Sequence, residues 1–296
     1  MEHLNIDAVY NNVCNAPRGA NVNIDYMPDS FVNDDMDNNS PHVHTFYEII
    51  WFREGKGTHF VDFQEYPVEN NTLFFLSPGQ VHCFDDCLKY KGILIKFCTD
   101  FLKDEGVDDD ELFIKYNLFR AFDTIPCCTI DEATAQRLLF ILGKIQEEYE
   151  NRNMVGHEDM LRALTKIFLI TIQRNSERHD AYNIDHKKPA HRLFVMFRKC
   201  LEQHFMEYHT VKEYADVLNV SAKTLSNSVQ ESAGVTPLTI INDRITLEAK
   251  RLLRYSNLIT KEIADYLGYD DPSYFVKFFK RQTGYLPSSF ANKGGA

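Results

Sequence analysis

Two histidines and a glutamate lie close together near the start of the chain, in the stretch PHVHTFYE (41–48). Side chains alternate across a β-strand, so His42, His44 and Glu48 would share one face of a strand. His82, in the stretch SPGQVHCF (77–84), could bring a fourth side chain from a later strand. This combination of imidazole and carboxylate groups suits a divalent iron, manganese or zinc ion. It equally suits the polar lining of a small-molecule pocket, or a polar cluster in the core.

The segment that carries these residues has the pattern of a compact β domain. Between residues 42 and 98, short runs rich in Phe, Tyr, Ile and Val alternate with turn residues, as in FYEIIWF, THFVDF, TLFFL and YKGILIKF. Regular spacing of strands and turns predicts a small barrel or sandwich. By strict alternation the single tryptophan, Trp51, would face away from the histidines. His59 and Tyr47 are weaker candidates for the same pocket.

Residues 129–175 change to a helical period and predict two amphipathic helices. Thr129 and Glu132 fit a capping box at the start of the first helix. The second helix is expected over residues 157–175, and the apolar faces of both could form core or a dimer surface. Residues 176–190 are polar with little apolar period, so they predict a linker.

Composition limits the class of protein. The 296 residues suffice for two domains, and 44% apolar with 25% charged residues is typical of a soluble globular chain. The first residues lack a signal-peptide pattern, and no run approaches the ~18 apolar residues of a membrane span. The seven cysteines have no regular spacing, which favours reduced thiols in a cytoplasmic protein without a membrane partner.

The net charge of −11 is distributed unevenly along the chain. Residues 1–185 carry 16 Lys and Arg against 32 Asp and Glu, whereas residues 186–296 carry 16 against 11. The C-terminal part is therefore basic and the N-terminal part acidic. This asymmetry predicts that only the C-terminal part binds a polyanion.

An internal repeat occupies the basic part. KEYADVLNVSAKTLSNSVQESAGVTP (212–237) matches KEIADYLGYDDPSYFVKFFKRQTGYLP (261–287). Each copy predicts a helix, a tight turn and a second helix, with Asn219 or Gly268 in the left-handed backbone conformation at the turn. A helix-turn-helix of this kind can place its second helix in the major groove of DNA.

Each second helix of the repeat has a polar face opposite its apolar one. These faces carry Lys223, Ser226, Asn227 and Gln230 in the first copy, and Ser273, Val276, Lys277 and Lys280 in the second. Their donors and acceptors suit base edges, and lysines suit guanine or phosphate. Residues 237–256 predict one linking helix, about 30 Å long. Because successive major-groove faces are about 34 Å apart, this helix would hold both reading helices on one side of double-stranded DNA.

These motifs closely resemble a known family. The two repeats, the linking RITLEAKRLL and the closing TKEIADYLGYDDPSYFVKFFKRQTGYLPSSF resemble the DNA-binding domain of AraC/XylS transcription regulators. The resemblance implies a two-domain α+β fold, with a cupin-like β-barrel before an all-α double helix-turn-helix domain. The implied division is a sensor barrel over 1–128, a helical dimerisation segment over 129–175, a linker over 176–190 and a DNA-binding domain over 191–296.

The resemblance also implies a function. A regulator of this type would act as a homodimer under the control of a small-molecule effector, such as a sugar, bound in the barrel. It would more often activate than repress, in contact with RNA polymerase. The effector would then contact His42, His44, Glu48 and His82. Family barrels usually hold no metal, so the resemblance implies no cofactor.

The barrel residues resemble cupin motifs as well, and this keeps alternatives open. The spacing His-x-His-x3-Glu-x6-Gly, ending at Gly55, resembles the first cupin motif, and PGQVH resembles a shortened second one. Cupin enzymes hold iron, manganese or zinc with three histidines and one glutamate, which here would be His42, His44, His82 and Glu48. The chain could therefore be a metal-dependent cupin enzyme with an appended DNA-binding domain. It could also be a ligand-independent regulator whose barrel only dimerises.

Overall fold

The chain folds into two compact units. A computed structural model describes Tyr10 and residues 13–14, 22–27, 39–98, 101, 118–119, 125–151, 153–179 and 189–292. One unit comprises Asn12–Asn183, and the other comprises Met1–Asn11 with Ile184–Ala296. Among the described residues, the first combines β-sheets with two α-helices and the second is helical, so the predicted two-domain α+β fold class is confirmed.

The N-terminal unit is built on short strands. Its described residues form β1 (Val13–Cys14), β2 (Val22–Met27), β3 (Val43–His44), β4 (Tyr47–Glu54), β5 (Gly57–Val61), β6 (Gln64–Val68), β7 (Thr72–Leu76), β8 (His82–Phe84), β9 (Lys91–Phe97) and β10 (Cys127–Thr129). A five-stranded sheet has the order β10-β7-β4-β9-β2, and a three-stranded sheet has the order β6-β5-β8. Strand β1 pairs with β3 in parallel.

Strand β4 separates two hydrophobic cores because its side chains alternate between the faces of the sheet. Ile50 and Phe52 belong to a core that also contains Phe74 of β7 and Phe84 of β8. Trp51 belongs to the other core, beneath the two helices of this unit. The prediction that Trp51 faces away from the histidines is therefore confirmed.

The two predicted helices of this unit are present, with different ends. Helix α1 (Glu132–Glu150) is capped by Asp131, whose side chain accepts from the Thr134 backbone N–H. The predicted capping box at Thr129 is wrong, because Thr129 is the last residue of β10. Helix α2 (His157–His179) continues past residue 175, so the predicted division at 175/176 falls inside it. Residues 180–188 of the predicted linker lie outside the described residues.

A buried amide explains the extra turn of α2. Asn175 is 2% exposed, and its side chain contacts Thr134 Oγ1 at 3.2 Å and the Thr129 carbonyl oxygen at 3.4 Å. This polar residue therefore packs against the start of α1, at the position where the sequence predicted the helix to end. Because asparagine is polar, the apolar period of the sequence stops before it, and the predicted helix is shorter than α2.

Helices make up the described part of the C-terminal unit. They are α3 (Pro189–His204), α4 (Val211–Val217), α5 (Ala222–Ala233), α6 (Pro237–Tyr255), α7 (Thr260–Tyr266), α8 (Pro272–Thr283) and α9 (Pro287–Ala291). Helices α4 and α5 form the first helix-turn-helix, and α7 and α8 form the second. The predicted linking helix is α6, which has 19 residues and a Thr236 cap.

The two tight turns adopt the predicted left-handed conformation. Asn219 has φ 54° and Gly268 has φ 73°. At Gly268 the backbone of the turn also approaches the Met206 carbonyl so closely that a Cβ atom would collide with it. The second helix-turn-helix therefore packs against the segment that follows α3.

One residue from the start of the chain lies in the C-terminal unit. Tyr10 forms a β-bridge with Ser256, at the end of α6, and its hydroxyl donates to Glu248 Oε1 at 2.5 Å. The sequence placed all of residues 1–128 in the N-terminal domain, and Tyr10 is an exception. A lone tyrosine in a polar segment carries no pattern that predicts such a long-range contact.

A buried charge network surrounds Glu248 on α6. The Arg244 guanidinium donates to Glu202 and to Glu248, at 2.9 Å in each case. Arg251 donates to Glu248 at 3.2 Å. The Arg244 guanidinium also lies 3.8 Å from the centre of the Phe205 ring. Glu202 and Phe205 belong to α3 and the loop after it, so the network fixes α6 against that part of the unit.

Replacing Gly268 with Ala should destabilise the second helix-turn-helix more than the same change at Gly234. Both glycines have a left-handed backbone, which costs a non-glycine residue about 1–2 kcal/mol. Only position 268 adds a collision with the Met206 carbonyl, because nothing lies within 4 Å of a Cβ at Gly234. Hydrogen exchange measured by mass spectrometry would report the loss, over residues 260–283 for Gly268→Ala and over residues 211–233 for Gly234→Ala. Equal losses in the two variants would contradict the close approach.

Replacing Glu248 with Gln should destabilise the C-terminal unit by about 3–5 kcal/mol, since Arg244 and Arg251 lose a shared buried carboxylate. Tyr10→Phe removes only one donor to that carboxylate and should cost about 2 kcal/mol. Exposed Asp216 provides the matched control, Asp216→Asn, which should change little. Urea denaturation of the full chain measures all three. A Glu248→Gln cost no larger than that of Asp216→Asn would refute the role of the network.

Candidate effector site and nucleic-acid interface

The four histidine and glutamate side chains singled out by the sequence lie together inside the N-terminal unit. Strands β3, β4 and β8 position them, and a pair of backbone hydrogen bonds of 3.0 Å joins His42 to His82. The exposed fractions are 5% for His42, 1% for His44, 5% for Glu48 and 2% for His82. Residues up to 40 positions apart in sequence therefore share one buried cluster.

Three of these side chains converge on a common point. Glu48 Oε2 lies 3.4 Å from His44 Nε2 and 3.9 Å from His82 Nε2. One ligand atom from each residue lies within 4.8 Å of the others. His42 is beside this group, with its ring centre 4.2 Å from that of His82, but it is outside the three-residue set. The structure thus separates His42 from the other three predicted residues.

Other groups orient the converging imidazoles. His44 Nδ1 lies 2.8 Å from the carbonyl oxygen of Phe46, and His82 Nδ1 lies 3.0 Å from His59 Nε2. His59 is fully buried and stacks on Phe84 with ring centres 4.8 Å apart. His59, a weaker candidate from sequence, therefore contacts the cluster directly. Strand β5 places it there, which no local motif indicates.

Tyr47, the other weaker candidate, lies on the opposite face of β4. Its ring stacks on Phe97 with centres 5.8 Å apart and meets Phe119 edge-on at 5.0 Å. It packs against the core beneath the helices. Tyr47 is therefore a packing residue of that core and not part of the cluster.

Burial sets the charge of the cluster. It lowers the pKa of His82 well below its ordinary value, and it lowers the pKa of His59 to about 3. Burial alone would raise the pKa of Glu48, but contact with His44 and the nearby charge of Lys96 hold that pKa below its ordinary value. At neutral pH an ionised carboxylate therefore faces a neutral His82 imidazole. Among the described residues, His44, Glu48 and His82 are the set with the geometry to hold a cation.

The first helix-turn-helix presents a polar face on α5. Lys223, Asn227 and Gln230 are exposed, and Ser226 is half-buried. Leu225 and Val229 are fully buried on the opposite side, as predicted, and the helix ends at Gly234 in a left-handed conformation.

The second helix-turn-helix repeats this arrangement on α8. Ser273, Lys277 and Lys280 are exposed and Val276 is half-buried, whereas Phe275, Phe278 and Phe279 form the buried side. Tyr274 is 58% exposed on the same helix. The sequence did not single out Tyr274, because an aromatic residue inside an apolar helical stretch is more often part of the core.

Comparison with known proteins agrees with this geometry. A family model described as an AraC-like ligand binding domain matches residues 30–85, and a helix-turn-helix domain model matches residues 214–293. The transcriptional activator RhaS of Enterobacter sp. (strain 638) is 23% identical over 248 residues, which cover 83% of this chain and 85% of that protein. RhaS of Escherichia coli (strain K12 / DH10B) is 23% identical over 251 residues, with the same coverage.

A solved structure extends the comparison. ToxT from Vibrio cholerae has 14% sequence identity and a TM-score of 0.41, over 91% of this chain and 97% of that one. No helix among the described residues has the length and apolar character needed to cross a membrane. The ligand-binding and helix-turn-helix matches come in the same order as the two structural units, and the RhaS relatives span both. These matches identify an AraC-like ligand binding domain followed by a helix-turn-helix domain, the arrangement of the DNA-binding transcription activators to which this chain is similar.

Proposed function

We propose that the chain is a cytoplasmic transcription activator that binds double-stranded DNA through α5 and α8 and responds to an effector held in the histidine–glutamate cluster. The observation that carries the DNA-binding part is the paired arrangement of the two reading helices. Each helix buries its apolar side and exposes its polar side, and the single helix α6 connects the two copies.

The residues exposed on α5 and α8 suit direct reading of DNA. Asn227 and Gln230 can each donate to and accept from a base edge, as adenine requires, and Lys277 can donate to guanine. Lys223 and Lys280 can neutralise phosphates, which position the protein without specifying sequence. The 19 residues of α6 span about 28 Å. This length is close to the ~34 Å between successive major-groove faces, which favours two contacts in adjacent turns.

The effector part of the proposal rests on the buried cluster in the N-terminal unit. The matched ligand-binding region, residues 30–85, contains His42, His44, Glu48 and His82. Buried polar side chains are costly unless they find partners, and a bound effector would provide them. An effector acts on DNA binding only if it binds one conformation of the protein more tightly than another.

Helices α1 and α2 supply the surface proposed for homodimerisation. Their inner faces pack against the sheet, but Phe140, Met160 and Ile167 are 69%, 51% and 48% exposed. Met160 and Ile167 are seven residues apart and so lie on the same side of α2. Exposed large apolar side chains on neighbouring helices are typical of a protein interface. A dimer would bring two such regulators to one promoter, where contact with RNA polymerase activates transcription.

The packing of the barrel interior favours a second candidate function. Ile50, Phe52, Phe74, Phe84 and Leu94 fill the space between the sheets beside the cluster. An interior filled with side chains suits a regulator whose N-terminal unit only dimerises and whose activity follows its abundance. Screening operator affinity against small molecules and metal ions separates the two candidates, because the second predicts no response.

Replacing Lys277 with Ala should weaken specific DNA binding by about 1–3 kcal/mol and leave the fold unchanged, since Lys277 is exposed on the reading helix. Lys91→Ala removes the same charge from an exposed site in the N-terminal unit and serves as the control. Fluorescence anisotropy with operator DNA at several salt concentrations measures both. Unchanged affinity for Lys277→Ala, or wild-type affinity that does not fall with salt, would contradict the proposed interface.

Replacing Phe140 and Ile167 together with Glu should weaken the homodimer about 10-fold or more, because charges would enter an apolar interface. Leu88→Glu changes an apolar residue of the same unit outside α1 and α2, 59% exposed, and provides the control. Sedimentation velocity over a range of concentrations gives the dissociation constants. Equal effects of the double variant and the control would place the dimer surface elsewhere.

A further inference from the structure

We propose that His44, Glu48 and His82 form a binding site for one divalent first-row transition-metal ion, with Zn²⁺ and Fe²⁺ best suited to the ligand set. The inference names the occupant of the effector cluster and so rests on the proposed function. Two imidazoles and one carboxylate match these ions chemically. The same three ligands leave a further coordination position open.

The distances fit a metal ion after small side-chain movements. Ligands of a tetrahedral ion with bonds of about 2.0–2.2 Å are about 3.3–3.6 Å from one another. Here Glu48 Oε2 is 3.4 Å from His44 Nε2 and 3.9 Å from His82 Nε2. The first distance lies within that range, and the second exceeds it by a few tenths of an ångström. The third pair, His44 and His82, lies within 4.8 Å, so an ion would also draw these two imidazoles toward each other.

Two buried nitrogen atoms point at this position without a hydrogen bond among the described residues. They are His44 Nε2 and His82 Nε2. The contact of His44 Nδ1 with the Phe46 carbonyl requires an N–H at Nδ1. In a neutral imidazole, His44 Nε2 then carries a lone pair directed at the Glu48 carboxylate, whereas the His44 hydrogen bond that lowers the pKa of Glu48 requires a proton on Nε2. A cation between the two atoms, either a metal ion or a proton, removes this repulsion.

The local charge favours a cation at this position. Lys96 is opposite Glu48 in the strand register, but its ammonium pairs with Asp25 at 3.0 Å. Glu48, Lys96 and Asp25 together carry one net negative charge, and the Glu48 carboxylate is in a site where it is only 5% exposed. Buried charges are normally paired or bound to a metal. A divalent ion would neutralise Glu48 and provide a partner for both unpaired nitrogens.

His59 has the position of a group that supports a metal ligand. With His82 Nε2 bound to the ion, His82 Nδ1 carries the proton and donates to His59 Nε2, 3.0 Å away. Partners of this kind fix the tautomer and orientation of a ligating histidine. His59 is itself held by stacking on Phe84. It would act as a positioning residue without touching the ion.

An ion also fits the packing of the barrel better than a sugar does. The ligands are 1–5% exposed, and the aromatic core of Phe52, Phe74 and Phe84 fills the adjacent interior. A sugar needs a volume comparable to several side chains, whereas an ion needs only the point that its ligands already surround.

Metal content of the full-length protein tests the site. The chain is stripped with a chelator, loaded with Zn²⁺ or, without oxygen, Fe²⁺, desalted and analysed by mass spectrometry. One ion per chain is expected in the wild type, with stoichiometric binding lost in Glu48→Gln and His82→Gln. His157→Gln alters a histidine of the same unit outside the cluster and should keep the ion. Wild-type protein that retains no ion, or retention that both cluster variants preserve, would overturn the proposal.

Two further measurements test the site without depending on variants that could misfold. Zn²⁺ should raise the melting temperature of the wild type, and chelator should reverse the rise, because an ion bound only to the folded state stabilises it. A melting temperature that does not respond at saturating Zn²⁺ counts against the site. His59→Phe retains the aromatic packing and should weaken metal affinity about 10–100-fold. Unchanged affinity in that variant would remove the positioning role of His59.

Operator binding, measured on the same samples, separates this inference from the proposed function. Stripped protein that binds operator DNA normally but never retains an ion would refute the metal site and leave the regulator function intact. Protein that retains one ion per chain but does not bind DNA specifically would support the site and refute the DNA-binding part. A proton shared by His44 and Glu48 is the competing explanation, and it predicts no retained metal.

Discussion

The buried carboxylate of Glu248 is the contact on which the DNA-binding half of the molecule depends. It accepts hydrogen bonds from Arg244, Arg251 and Tyr10. Arg244 in turn donates to Glu202, which belongs to α3. Such a network adds little net stability compared with an apolar core, since desolvation of the charges offsets much of their attraction. Its physical effect is directional: the charges must meet in one arrangement, so α6 has one orientation. The proposed reading geometry of α5 and α8 follows from that orientation.

A second constraint organises the N-terminal unit, and it is the two-residue period of β4. Glu48, Ile50 and Phe52 point to one face, whereas Trp51 points to the other and packs beneath α1 and α2. The inner face is apolar at one end and polar at the other. This division keeps the histidines and Glu48 in a dry environment, where unpaired lone pairs and a charge are costly. The proposed metal site is the direct consequence of that cost.

Local signals account for most of what could be predicted. The helix-turn-helix repeats, the left-handed turns at Asn219 and Gly268 and the linking helix all depend on short-range chemistry: helical periodicity, caps and backbone freedom. The shared face of His42, His44 and Glu48 was also predicted, because strand alternation is equally local, whereas His82 was added through the resemblance to cupin motifs. The failures were at boundaries. Thr129 fits a helix cap in sequence but is the last residue of β10, and the second helix was predicted to end at Asn175, whose buried partners are distant in sequence.

The sequence by itself determined the class of each domain, the order of the domains and the faces of the reading helices. Period and residue type fix these features within a few neighbouring residues. The tertiary structure alone decided that His59 supports His82, that His42 is outside the converging set and that Tyr10 belongs with α6. Each of these facts joins residues far apart along the chain. Their distances depend on how the sheets and helices pack, which no local pattern encodes.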